Sequence, residues 1–260
     1  MKHVTQEERL DYLVEEFKTD SGEYRNIETP KDTEGKRRVL RSLMNIRMPR
    51  NISSDVLRVQ DEYLKGRSEE KGIVTLSDIP EIRNGVSIWQ GDITRLAVDA
   101  IVNAANSGML GCFQPLHNCI DNCIHTFAGL RLRNKCAELM KKQGHEEPTG
   151  QAKLTPAYNL PCKYVIHTVG PIVNGRLTER HKELLASCYR SCLALAEEKG
   201  LGSIAFCCIS TGVFGFPQRR AAEIAVQTVR EYKATTYSKI EVIFNVFKDE
   251  DYDIYRELLG

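Results

Sequence analysis

An apolar run from Val98 to Ala104 constrains the fold most, because it suits a strand that is buried within a sheet. The preceding segment, Val86 to Gln90, alternates apolar and polar side chains and predicts a second strand, which ends at the turn Gly91-Asp92. Beyond these two strands, helical and strand patterns alternate to the end of the chain. This alternation predicts an α/β fold in which helices cover both faces of the sheet.

Periodicity and turn residues predict the other elements of this region. A long helix is expected from Asn118 or Asp121 to Lys142, where Gly144 and Pro148 break the pattern. The remaining predicted strands are 152–156, 163–169, 203–209 and 239–246, and the remaining predicted helices are 178–199, 217–232 and 249–259.

Residues 1–72 show a helical period throughout. Thr5 and Glu8 can form a capping box, and the helix that follows has one apolar face, made of Leu10, Leu13, Val14 and Phe17. Further helices are predicted over 34–47 and 55–65. Because amphipathic faces usually exist to be buried, this segment is expected to be a helical extension packed on a main domain of residues 73–260. A lid or a partner-docking surface is the alternative.

Two loops have the composition of a binding site. Asn103 lies at the end of the strand at 98–104, and Asn106 and Gly111 follow it. Short side chains and glycine allow a backbone to follow a ligand closely. The loop from Ser210 to Pro217 leads from the end of a strand into a helix, where exposed amides and the helix dipole favour an anion. Glycine turns at such junctions are common, so this loop taken alone is a modest signal.

Metal-ligating residues are concentrated in one short segment. Cys112, His117 and Cys119 place two sulfurs and an imidazole in a single loop, and residues two apart on extended backbone point the same way. Three protein ligands would leave a position open for water or substrate, whereas a closed structural zinc site usually has four. The alternative is that the cysteines are small hydrophobic residues and that the histidine is structural.

Charge and cysteine usage exclude several classes of protein. The chain has 36 basic and 35 acidic residues and a net charge of +1, so no charge excess points to nucleic acid or to an anionic membrane. The nine cysteines lack the spacing of a small disulfide scaffold, and no stretch approaches the ~20 apolar residues of a membrane span. A cytoplasmic protein is expected.

Four motifs in order carry a resemblance to a known family: GDITRLAVDAIVNAANSGMLG, DNCIHTFAG, TGQAKLTPAYNLPCKYVIHTVGP and ISTGVFGFP. From about Val86 to Leu259 the chain resembles the macrodomains, ADP-ribose-binding modules. The resemblance implies a three-layer α/β/α fold with a mixed sheet. The segment GCFQPLHNCID resembles the zinc-containing branch, in which a Cys/His/Cys loop replaces a run of glycines. It implies one Zn²⁺ per chain, held by Cys112, His117 and Cys119.

The resemblance also assigns roles to single residues of the binding site. Asp92 matches the acid that takes the adenine amino group, with Ile93 contributing its backbone, and Phe247 matches the aromatic residue that faces the adenine. A turn residue and ordinary core packing are the alternatives for Asp92 and Phe247. The loop that wraps the diphosphate matches Gly212, Val213, Phe214, Gly215 and Phe216.

At the distal ribose, the resemblance places Asn103, Asn106 and the aspartate of hydrolytic macrodomains, Asp121. The alternatives are backbone capping for the asparagines and a helix N-cap or first-turn acid for Asp121. Zinc-free relatives resemble this chain at Cys123 and His125, which argues against these two as metal ligands. His167 is expected to be a hydrogen-bonded core histidine.

The resemblance implies a zinc-dependent mono-ADP-ribosyl hydrolase, in which water attacks the anomeric carbon of the distal ribose. Zinc would hold water, bind a sugar hydroxyl or orient its loop. The alternatives are a reader that binds ADP-ribose without turnover and an O-acyl-ADP-ribose deacylase. Some members of the zinc branch are encoded beside a sirtuin-type ADP-ribosyltransferase and a lipoate-carrier protein, which implies a modified carrier as the substrate.

Overall fold

The computed structural model describes residues 4–260, beginning with the helices α1 (Gln6–Ser21), α2 (Thr33–Ile46) and α3 (Ser54–Lys71). The predicted capping box of α1 is confirmed, since Thr5 Oγ1 accepts from the Glu8 amide and Glu8 accepts from the Thr5 amide. The predicted apolar face of α1 is buried as well. It packs against α2 and α3 in a small core of its own, which Leu130 from farther along the chain completes.

A mixed sheet of six strands forms the centre of the remaining chain. A short parallel pair, β1 (Val74–Thr75) with β3 (Leu96–Ala97), lies outside this sheet. The six strands are β2 (Val86–Gln90), β4 (Ala100–Ala105), β5 (Ala152–Pro156), β6 (Tyr164–Val169), β7 (Ser203–Phe206) and β8 (Glu241–Val246). Their order is β2-β8-β7-β4-β6-β5, and every neighbouring pair is parallel except β5 with β6.

Five helices alternate with these strands: α4 (Ile120–Ala128), α5 (Leu130–Gln143), α6 (Glu179–Glu198), α7 (Gln218–Thr236) and α8 (Asp249–Leu259). They cover the sheet and enclose one large apolar core, so the predicted three-layer α/β/α fold is confirmed. Strand β4 lies between β7 and β6, and its Ile101 and Val102 are fully buried. The carboxyl ends of β2, β8, β7 and β4 therefore share one edge of the sheet.

The prediction of a single long helix that ends at Lys142 is wrong. The helix is interrupted at Gly129, which separates α4 from α5. Gly129 has a φ of +87°, and a Cβ atom there would lie 2.7 Å from Gln60 Oε1. That oxygen accepts a hydrogen bond from the Leu130 amide at 2.9 Å and so caps the start of α5. A side chain of α3 thus sets the break.

The predicted end of α3 near Lys65 is also wrong, since the helix continues to Lys71. Gly66 lies inside it, against the side chain of Gln6, which donates to the Tyr63 carbonyl at 3.0 Å. This glycine gives α1 room to approach and does not end the helix. The division into an extension of residues 1–72 and a main domain of 73–260 stays a prediction. No helix within residues 4–260 is long and apolar enough to cross a membrane.

Candidate active site

Three of the predicted site residues meet at the carboxyl end of β4. Asn103 Nδ2 donates to Asp121 Oδ1 at 2.8 Å, and Asn106 Nδ2 donates to Asp121 Oδ2 at 3.3 Å. Asn103 and Asn106 come from β4 and the loop after it, whereas Asp121 lies in the first turn of α4. Each carboxylate oxygen therefore accepts a hydrogen bond from a different asparagine, which fixes the orientation of the carboxylate.

Asp121 is almost completely buried, with 5% of its surface exposed. Burial raises the pKa of its carboxyl to about 6, although the hydrogen bond from Asn103 and the charge of Arg133 act in the opposite direction. His125 lies one turn farther along α4, with its Nε2 atom 3.6 Å from Asp121 Oδ1. Burial, followed by the neighbouring His167 and Arg133, holds the pKa of His125 well below its usual value. The imidazole is therefore neutral and leaves the carboxylate without an ion-pair partner.

His167 supports Asn103 from the next strand. It is paired with Asn103 in the register of β4 and β6, and its Nδ1 atom lies 3.1 Å from Asn103 Nδ2. Since an amide nitrogen only donates, Nδ1 is the acceptor, and Nε2–H donates to Thr155 Oγ1 at 2.9 Å. Burial lowers the pKa of His167 to about 3, so the ring stays neutral. The prediction of a hydrogen-bonded core histidine is confirmed.

Within residues 4–260, two groups of residues are spaced to hold a metal ion. The donor atoms of Cys112, His117 and Cys119 lie within 4.8 Å of one another, as do those of His125, Cys136 and His167. The second group is fully buried, and both ring nitrogens of His167 already have hydrogen-bond partners. Burial raises the pKa of one thiol in each group to about 12, Cys136 in the second and Cys119 in the first, so thiol acidity does not distinguish the two groups. The first group is the better candidate because the second is buried and the ring nitrogens of its His167 are already hydrogen-bonded.

The first group fits zinc through its donor chemistry and its access to solvent. Its two sulfurs and one imidazole are the donors that a borderline-soft ion prefers, and all three residues are partly exposed. Cys112 Sγ lies 3.6 Å from His117 Nδ1. Cys119 is the N-cap of α4, where its sulfur accepts from the Asn122 amide at 3.4 Å. Because Asp121 follows Cys119 by two residues, the carboxylate and the metal group share the start of α4.

The loop 210–217 follows β7, which is the neighbour of β4 in the sheet. The Gly215 amide donates to the Gly212 carbonyl at 3.0 Å and closes a tight turn, in which Gly215 has a φ of +67°. Val213 is 80% exposed at the tip of the loop. The ring of Phe216 is buried, and its amide donates to the Ser210 carbonyl at 3.0 Å. The side chain of Phe216 thus anchors the loop in the core, while residues 212, 213 and 215 face solvent.

Asp92 follows the carboxyl end of β2. Its Oδ1 atom accepts from the amide and the hydroxyl of Thr94 at 3.0 and 2.6 Å, and its Oδ2 atom lies 2.5 Å from Lys71 Nζ. Burial opposes the ionisation of Asp92, but the charge and hydrogen bond of Lys71, together with the bonds from Thr94, outweigh it and lower the pKa. Ile93 is buried, whereas Phe247, directly after β8, is 75% exposed. The ring of Phe247 is therefore not packed in the core.

The strand order decides how these groups lie relative to one another. Asp92 and Phe247 follow β2 and β8, the loop 210–217 follows β7, and Asn103 lies near the carboxyl end of β4. Neighbouring strands are about 4.8 Å apart, so these groups extend over roughly 14 Å along one edge of the sheet. In parallel α/β sheets this carboxyl edge is where ligands bind. An elongated ligand would meet the groups in that order.

Comparison with known proteins agrees with this arrangement. The Macro domain family matches residues 102–225. The chain is 54% identical over 261 residues to a protein-ADP-ribose hydrolase of Treponema medium, covering 99% of this chain and 100% of that protein. The chain belongs to the macrodomain family.

Further relatives of this macrodomain include a protein-ADP-ribose hydrolase of Staphylococcus aureus (strain MRSA252). It is 47% identical over 251 residues, which cover 96% of this chain and 94% of that protein. Among solved structures, the Trypanosoma brucei macrodomain in complex with ADP-ribose matches with a TM-score of 0.67 and 31% identity, covering 82% of this chain and 93% of that one. The predicted family is confirmed.

Three polar residues of this macrodomain contact the site but did not stand out in the sequence. Lys71 at the end of α3 pairs with Asp92, and Arg41 and Asn45 of α2 contact the loop that contains Cys112 and His117. All three come from the N-terminal helices and reach residues far away in the sequence. These three residues belong to no local sequence motif, so their contacts with the site can be recognised only from the packing of the helices.

Proposed function

We propose that this macrodomain hydrolyses the bond between ADP-ribose and a modified protein side chain. The observation that carries the proposal is the order of groups along the carboxyl edge of the sheet. An acceptor for an amino group, Asp92, and an exposed aromatic ring, Phe247, lie at one end. An anion-binding loop follows, and a buried carboxylate beside a metal-binding group lies at the other end. Adenine, diphosphate and distal ribose follow one another in the same order in ADP-ribose.

The binding roles follow from this order. Asp92 accepts from the adenine amino group, Ile93 contributes its backbone, and Phe247 faces the ring. The backbone of the segment formed by Gly212, Val213, Phe214, Gly215 and Phe216 wraps the diphosphate. Asn103, Asn106 and Asp121 lie at the end that the distal ribose would occupy. Two relatives of nearly full coverage are named protein-ADP-ribose hydrolases, which supports turnover in addition to binding.

In the proposed reaction, water attacks the anomeric carbon of the distal ribose, and the protein side chain leaves. Positive charge develops at that carbon as the bond to the leaving group breaks, so the Asp121 carboxylate stabilises it or orients the water. Asn103 and Asn106 hold the carboxylate in place through the bonds to its two oxygens. Cys112, His117 and Cys119 would hold the zinc, which would supply Lewis-acid chemistry to the reaction.

The burial of Asp121 favours an enzyme over a reader. A buried carboxylate without a cationic partner is costly, and an uncharged hydrogen-bonding group would serve a pocket that only binds sugar. Buried carboxylates with a raised pKa are concentrated at functional sites, where catalysis makes use of them.

The nine free cysteines are compatible with a reducing, cytoplasmic setting. A lipoate-carrier protein modified by a sirtuin-type transferase stays a prediction that rests on the family resemblance.

The direct test uses a protein that carries a single ADP-ribose group. The full chain loaded with zinc is expected to release free ADP-ribose with multiple turnovers, because the proposed site contains both a binding cleft and reactive groups. Chromatography of the products with mass spectrometry measures the release and shows whether the protein side chain returns to its unmodified mass. Tight binding of ADP-ribose with no release above the spontaneous rate would replace the hydrolase by a reader.

The extended site also predicts selectivity among ligands. ADP-ribose should bind at least ~10-fold more tightly than AMP, because it adds contacts with the loop 212–216 and with Asn103, and one hydrogen bond to a charged group contributes about 1.5–3 kcal/mol. Calorimetry measures both dissociation constants. Phe247→Ala is the control, since loss of an adenine contact should weaken both ligands by a similar factor. Equal affinities for ADP-ribose and AMP in the wild type would contradict the proposed subsites.

A further inference from the structure

Helix α2 of the N-terminal region holds the loop that contains the metal-binding group. Asn45, only 1% exposed, accepts from the Leu116 amide through Oδ1 at 3.0 Å and donates from Nδ2 to Thr126 Oγ1 at 3.0 Å. Leu116 has a φ of +58°, a left-handed conformation that is unfavourable for leucine. The hydrogen bond from the Leu116 amide to Asn45 therefore stabilises a strained residue directly before His117.

Arg41 lies one helical turn before Asn45 and contacts the same loop. Its Nη2 atom donates to the His117 carbonyl at 2.7 Å and to Asn122 Oδ1 at 3.0 Å. Asn122 is fully buried, and its Nδ2 atom donates to the Cys112 carbonyl at 3.3 Å and to the Gln114 carbonyl at 3.0 Å. The backbone of two of the three metal-binding residues is thus connected to Arg41, either directly or through Asn122.

Helix α2 is itself fixed to the rest of the molecule. Arg133 of α5 donates from Nη1 to the carbonyls of Met44, Asn45 and Arg47, at 2.7–2.9 Å, where α2 ends. The same guanidinium lies 4.6 Å from the ring centroid of Phe113, the residue after Cys112. Arg133 therefore holds the end of α2 and the start of the loop against each other.

We propose that Arg41 and Asn45 are positioning residues that bring Cys112, His117 and Cys119 together before the metal binds. The proposal rests on the proposed zinc site and gives the N-terminal helices a role beyond covering apolar surface. A loop already fixed in its binding conformation loses less conformational freedom when the metal is bound, and this raises the affinity. Partners that orient metal ligands without touching the metal typically contribute 10–100-fold to metal affinity.

The test compares two arginines of α2 in the full chain. Arg41→Ala should weaken zinc binding by about 10–100-fold, as measured by competition with a chromophoric chelator. Arg37→Ala is the matched control, because Arg37 is one turn away and pairs with Glu70 of α3 at 3.1 Å, within the N-terminal helices. Its zinc affinity should stay at the wild-type value. With Co²⁺ in place of zinc, the visible spectrum of Arg41→Ala should indicate a less regular tetrahedral site than the spectra of the wild type and Arg37→Ala.

A second pair of variants separates positioning from folding. Asn45→Ala should lose zinc affinity, whereas Asn45→Asp, which keeps an acceptor for the Leu116 amide, should retain more of it. Unfolding of each metal-free variant in urea shows whether the fold persists. Equal zinc affinities for Arg41→Ala and Arg37→Ala, or for wild type and Asn45→Ala, would overturn the positioning role. A wild-type chain that takes up no zinc would overturn the zinc site itself, and that result is visible before any variant is compared.

Discussion

Replacing Asp121 by alanine is expected to lower the rate of ADP-ribose release by about 10²–10⁴-fold, the usual scale for the loss of one general acid or base. ADP-ribose itself should still bind with a dissociation constant within several-fold of the wild type. In the proposed mechanism, the Asp121 carboxylate acts on positive charge that develops only as the bond between the ribose and the leaving group breaks. It therefore contributes little to the binding of intact ADP-ribose. Single-turnover release and calorimetry measure the two effects separately.

The control for this variant is Asp99→Asn, at the amino end of β4, whereas Asp121 contacts Asn103 near the carboxyl end of that strand. Asp99 precedes β4, and its Oδ1 atom lies 2.6 Å from Lys163 Nζ, far from the carboxyl edge. This variant should lose an ion pair but release ADP-ribose at the wild-type rate. If Asp121→Ala also kept that rate, the carboxylate would have no catalytic role. A parallel loss of rate and ADP-ribose affinity would indicate instead that Asp121 shapes the pocket.

Replacing Cys119 by serine is expected to abolish stoichiometric zinc and to lower turnover by on the order of a hundredfold or more. The wild type should contain about one zinc per chain, because its three donors match the ligands that zinc prefers. Serine is a good N-cap residue, so its hydroxyl can replace the sulfur as acceptor for the Asn122 amide and keep the start of α4. The variant therefore removes a metal ligand with little change to the helix.

Elemental analysis of the purified protein measures zinc, and the release assay measures turnover. Cys192→Ala is the matched control, because Cys192 is fully buried on α6 and belongs to neither group of metal-ligating residues. It should keep its zinc and its activity. A Cys119→Ser variant with full zinc content would refute the ligand assignment, and a zinc-free variant with wild-type turnover would show that the metal has no part in the reaction.

Local sequence was sufficient wherever a structural feature depends on neighbouring residues. The capping box of Thr5 and Glu8 is a contact between residues three apart, and the strand Val86–Gln90 follows from alternation along a single segment. The motifs around Asn103 and Asp121 also predicted residues that the structure brings together, since Asn103 and Asn106 both donate to the Asp121 carboxylate. The catalytic role of Asp121 stays a proposal. The Cys112, His117 and Cys119 loop is equally local, and the structure brings its donor atoms together.

The sequence by itself thus determined the family and the layers of the fold. Only the tertiary structure decided that Gly129 breaks a helix against Gln60, that Lys71 pairs with Asp92, and that Asn45 binds the Leu116 amide from 71 residues away. These contacts depend on how the N-terminal helices pack against the sheet domain. Each contact involves an ordinary polar residue or a glycine whose partner is distant in the chain, so no periodicity or spacing predicts it. The contact forms only when the N-terminal helices pack against the rest of the fold.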